Sequence, residues 1–145
     1  MRMTSGTETQ SGKPPGWTRV VAIAGGIGFL APGMWAMVDP RSFFAALAAF
    51  EPYNQHFLQD IGAFQIGLGA VLLLAGAWVR AEGLTVALSG VGVGAAAHAL
   101  SHLIGRELGG TPQSDIPLFS VIAMLLLAAG WFRLRSERTR PADAA

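Results

Sequence analysis

The sequence predicts an all-α bundle of four transmembrane helices, with a short interfacial helix between the first and second. Three observations predict it. The chain of 145 residues is 52% hydrophobic and 13% charged, against about 25% charged in soluble domains. Four apolar stretches each reach the roughly 20 residues needed to cross ~30 Å of hydrocarbon. Lys and Arg gather at one set of span ends. Most of the 19 glycines fall inside the apolar stretches rather than in linkers, as is common in membrane helices. A net charge of +1 gives no reason to expect a nucleic-acid partner. With no cysteine, disulfides, thiolate metal sites and thiol catalysis are excluded.

Residues 1–16 are polar and carry Pro14, Pro15 and Gly16; they predict a disordered tail. The apolar run behind them is too long for the core of a signal peptide and is read as a retained helix. The membrane domain spans residues 17–135, and residues 136–145 form a charged tail. The first span runs from about Thr18 to Val38, with Trp17 and Arg19 as interfacial anchors and a kink expected at Pro32-Gly33. Asp39-Pro40 stops it. Arg41–Phe50 is too short to cross and places Phe43, Phe44, Leu47 and Phe50 at helical spacing, hence the interfacial helix. Glu51-Pro52 ends it. Asn54 is the expected N-cap of the second span, Asn54–Arg80. The third span is Gly83–Gly105. A polar loop follows, and the fourth span is Asp115–Arg135, with Asp115 as its N-cap and Pro117 in its first turn.

Four spans put both termini on one side. That side holds Arg2, Lys13, Arg19, Arg80, Arg133, Arg135, Arg138 and Arg140; the other holds Arg41 and Arg106. The positive-inside rule then places both termini in the cytoplasm of a cell-membrane protein. Trp17, Trp78 and Trp131 fall at the inner interface, and Trp35 and Tyr53 at the outer. The C-terminal arginines are read as topology determinants.

The chemistry is expected at His56, Asp60, His98 and His102. These include all three histidines of the chain. Each pair is spaced i, i+4 and shares a helix face. The second and third spans are joined by a short turn near 81–83, which makes them antiparallel neighbours. At 1.5 Å per residue from that turn, Asp60 and His102 lie ~30 Å up, His98 ~24 Å and His56 ~36 Å. Ala63, Gly67 and Ala70 below one pair, and Ala87, Val91 and Gly94 below the other, predict a close seam between the two helices. Gln65 falls on the opposite face from His56 and is left outside the site.

Neutral imidazoles and a carboxylate suit Zn, Fe, Cu or Mn. His56, His98 and His102 would be ligands, and Asp60 the fourth ligand or an orienting catalytic base. A proton relay or a bis-histidine haem are other uses of such groups, and a structural cluster that glues two helices is the plain one. Glu51, Arg106, Glu107 and Asp115 are read as loop charges bordering the site.

The segments YNQHFLQDIGAFQIGLG (53–69) and AHALSHLIG (97–105) resemble small bacterial four-helix membrane proteins of the DoxX-like and related unknown-function type. The resemblance implies a four-helix bundle and, from the association of some such proteins with respiratory oxidoreductase complexes, a redox or accessory-subunit role. The expectation is therefore a membrane protein with a His/Asp metal site between the second and third spans. It would be a metal-dependent oxidoreductase or other membrane enzyme acting on a small or lipophilic substrate. The alternative is a non-catalytic accessory subunit of a larger membrane complex.

Overall fold

A computed structural model describes residues 16–78 and 81–139. It is built from five helices: α1 (Trp17–Val38), α2 (Pro40–Ala46), α3 (Gln55–Ala77), α4 (Ala81–Ile104) and α5 (Pro112–Arg138). Among the described residues there is no strand. α1, α3, α4 and α5 are each long and apolar enough to cross a membrane, and they form the all-α bundle. Large apolar side chains point outward, among them Phe64 at 78% and Val86 at 72% exposed. Lipid, not water, is the solvent that tolerates such a surface. The expected N- and C-terminal tails lie largely outside the described residues, but α5 carries the membrane domain three residues past Arg135.

The helix ends follow local chemistry. Asn54 caps α3 by accepting a hydrogen bond from the Phe57 N–H at 3.1 Å, as its side chain predicts. Asp39 ends α1 and caps α2, accepting from the Ser42 N–H at 3.1 Å. Hydrogen bonding by Ser42, through its side chain and then its backbone, holds the Asp39 carboxyl below its ordinary value. α5 starts at Pro112, three residues before the expected Asp115, so Pro117 lies inside the helix rather than in its first turn. The interfacial helix stops at Ala46, and residues 47–54 run on as an irregular segment.

The four long helices pair as two consecutive hairpins. α1 packs along α3, and α4 along α5, while α3 and α4 touch over a small part of their length. The expected seam of small residues between the second and third spans does not form. A Cβ added at Gly67, Gly90 or Gly94 would meet nothing within 4 Å. Ala87 and Val91 are buried, but in the central core with Leu72, Leu84, Leu88 and Leu126. The close seam lies between α1 and α3. A Cβ at Gly69 would stand 2.7 Å from the Gly26 carbonyl oxygen, and one at Gly62 would stand 2.8 Å from that of Gly33. Glycine lets these two backbones touch, as small residues do in membrane helix pairs. The contacts run in opposite order along the two chains, so α1 and α3 are antiparallel.

Charged groups close the end of the bundle that carries the termini. Arg133 on α5 is 2% exposed. It donates to Thr18 Oγ1 of α1 at 3.2 Å and lies 3.8 Å from the Glu137 carboxylate. Thr85 of α4 donates to the same carboxylate at 2.7 Å. Arg19 donates to the Gly76 carbonyl at the end of α3 at 2.6 Å. Besides the topology role expected of it, Arg133 joins α1 and α5, and through Glu137 also α4.

Candidate functional site

The four expected ligands divide into two pairs that are not gathered into one site. His56 and Asp60 sit one turn apart on α3 with 3.6 Å between Nε2 and Oδ2, and their side chains are 86% and 56% exposed. His98 and His102 lie on α4, Nε2 to Nε2 at 3.1 Å. Among the described residues no three His, Cys, Asp or Glu side chains are arranged to hold a metal ion. The depth argument assumed that α3 and α4 face each other along their length. In the fold α4 turns its histidine face toward α5.

The α4 pair instead meets Asp115. His102 Nδ1 lies 3.7 Å from Asp115 Oδ2, both side chains about five-sixths buried. The α4–α5 hairpin brings them level, since 102 and 115 flank the loop symmetrically. Asp115 also accepts from the Thr111 N–H at 3.2 Å and from the Thr111 hydroxyl at 3.0 and 3.1 Å. It thus braces the first turn of α5, whose N-cap is Thr111 and not the expected Asp115, and faces a histidine as well. Phe119, one turn along α5, packs its ring 4.1 Å from His98 and 5.8 Å from His102, nearly parallel to the latter. Phe50 covers His102 from the segment after α2, with centroids 6.3 Å apart.

The 3.1 Å contact between the two Nε2 atoms needs one ring to donate and the other to accept, and which ring does so depends on the tautomer. Such a carboxylate–imidazole–imidazole series can orient a polar group or exchange a proton with it.

The series lines one end of a cavity of about 470 Å³, away from the Thr18–Arg133 contact, within the range of small-molecule sites. One wall is α1, through Val20, Ala24, Gly28, Phe29 and Pro32; the other is α5, through Leu118, Ile122 and Leu125. Phe43 and Phe50 stand over the end that holds the histidines. Val20, Leu118 and Leu125 are each more than half exposed, so the cleft opens sideways between α1 and α5. At the other end the Thr18–Arg133 bond ties those helices together.

Gln65 of α3 also lines the cleft, and its Oε1 is buried without a hydrogen-bond partner. The helical arithmetic that set Gln65 opposite His56 holds, but the face that matters is the one bearing Gln65. Asp115, Phe119 and Phe50 were not singled out as site residues. Applying the same depth count to the outer hairpin would have found Asp115 and Phe119, because 98 pairs with 119 as 102 does with 115. Phe50 reaches the site through the irregular 47–54 segment, for which periodicity gives no signal. No family model, curated protein or solved structure matches this chain.

Proposed function

We propose that the chain is a multi-pass protein of the cell membrane with both termini in the cytoplasm, and that its cleft binds an amphipathic molecule taken from the bilayer. The cationic span ends support the orientation. The observation that carries the binding reading is the cleft itself: apolar walls along most of its length, an open side toward lipid, and polar groups confined to one end. A ligand would lie with its apolar body between α1 and α5 and its head at His98, His102 and Asp115. Ionisable groups at membrane depth are costly and usually functional, and these three sit in the cavity. With His56 and Asp60 outside the cleft, the arrangement supports binding over the metal-dependent reaction expected from the sequence. The DoxX-like resemblance rests on 53–69 and 97–105 and supports the four-helix architecture; an accessory subunit presenting a bound amphiphile to a larger complex is in keeping with it.

Photolabelling with a diazirine-bearing alkyl probe in phosphatidylcholine nanodiscs tests this reading. Saturable labelling is expected in peptides covering 20–32 and 118–126. Labelling that follows outward exposure, strongest around Phe64 and Val86, would refute it.

A further inference from the structure

The polar end of the cleft is one-sided. Its carboxylate, Asp115, is the sole charged side chain among the described residues that line the cavity, with no lysine or arginine among them. Gln65 on the same lining adds an uncharged acceptor, its Oε1, which is buried and without a partner. Aromatic rings of Phe119 and Phe50 complete the end. Aromatic faces attract cations, and a buried acceptor without a donor is destabilising.

We propose that the ligand is a lipophilic amine, bound as its ammonium, with N–H groups donating to Gln65 Oε1 and the Asp115 carboxylate. This rests on the cleft being the binding site. A carboxylate or phosphate head would bring negative charge against Asp115. A hydroxyl head could satisfy one acceptor but would gain nothing from the charge. An ammonium supplies three donors and one positive charge, and hydrogen bonds to charged groups exceed neutral ones in strength.

The test measures saturable binding of dodecylammonium, dodecanol and dodecanoate to the protein in phosphatidylcholine nanodiscs, with protein-free nanodiscs as background. Dodecylammonium is expected to bind at least about tenfold tighter than the other two, the factor that corresponds to one charge-assisted hydrogen bond. Asp115→Asn, which retains a hydrogen-bonding side chain in the first turn of α5, is expected to remove most of that preference. Gln65→Leu, which leaves that turn untouched, is expected to weaken dodecylammonium several-fold. Equal affinity for the three probes, or unchanged dodecylammonium affinity in both variants, would overturn the proposal. Gly28→Trp separates the two claims, because a Cβ at Gly28 meets nothing within 4 Å and a larger side chain would fill the cleft. If it abolishes binding of all three probes while the wild type does not discriminate among them, the cleft stands and the amine is wrong. If it leaves the binding of every probe unchanged, both are wrong.

Discussion

The two flanks of α1 are built from similar residues and do opposite things. On the flank toward α3, Gly26 and Gly33 meet Gly62 and Gly69 so closely that no side chain fits between the backbones. On the flank toward α5, Val20, Ala24, Gly28 and Pro32 face open space. Both flanks are apolar and rich in small residues, so hydrophobicity does not separate them. The difference lies in the partner. α3 offers glycines seven residues apart, which return to the same face every two turns. α5 offers Leu118, Ile122 and Leu125, which hold α1 at a distance. Helix association in lipid depends on packing rather than on escape from water, so a flank without a matched surface stays open and can hold a ligand.

The largest expected effect breaks the closed flank. Gly69→Val would place a Cβ against the Gly26 carbonyl and the Leu30 N–H, and neither backbone atom can yield as a side chain could. A loss of about 1–3 kcal/mol or more is expected, read as a lower melting temperature of the purified protein or failure to accumulate in the membrane. Next comes the lid over the open flank. Gly110 has φ +77°, and a Cβ there would stand 2.6 Å from the Phe50 ring. Gly110→Ala is expected to cost about 1–2 kcal/mol from the left-handed backbone alone, and to loosen Phe50 from His102, which would show as weaker amphiphile binding.

A smaller effect of the opposite sign is expected on the open flank. Gly28→Ala meets no atom and replaces glycine inside a helix, so it should stabilise by up to about 1 kcal/mol. A melting temperature that falls as it does in Gly69→Val would show that the flank is closed. His56→Ala and Asp60→Ala should stay within about 0.5 kcal/mol of wild type and leave amphiphile binding unchanged, since both side chains lie outside the cleft. At the corner above both flanks, Ser42 holds Asp39 ionised below the ordinary carboxylate range. The cap's contribution is present in full above that range and is lost as pH falls through the lowered value. Trp35 donates to Ser42 Oγ at 2.6 Å, so emission from Trp35 as the sole tryptophan should report the acid transition. Asp39→Ala should abolish that transition.

The membrane architecture was legible because it rests on composition and segment length, which lipid enforces directly. Asn54 was legible as a cap because capping is local. Helix pairing was not, because the turn near 81–83 shows only that α3 and α4 are consecutive. The sequence did carry the signal for the true seam in Gly26 and Gly33, and in Gly62, Gly69 and Gly76, each spaced by seven. Gly67 and Gly94, placed in the expected seam, stand where a Cβ would meet nothing within 4 Å. His98 and His102 were legible as a pair from their spacing. Their partner Asp115 was read as a cap and as a loop charge bordering the site, because the pairing of α4 with α5 was not part of the depth count.

The central claim is that the flank of α1 toward α5 is a binding cleft and its other glycine-bearing surfaces are not. Two substitutions of one kind test it directly. Gly28→Trp fills the cleft, and Gly67→Trp adds the same ring on α3, where a Cβ also meets no atom and the residue lines no cavity. Saturable dodecylammonium binding is predicted to be lost in Gly28→Trp and retained in Gly67→Trp. Equal binding in the two variants, or loss in Gly67→Trp alone, would contradict the account.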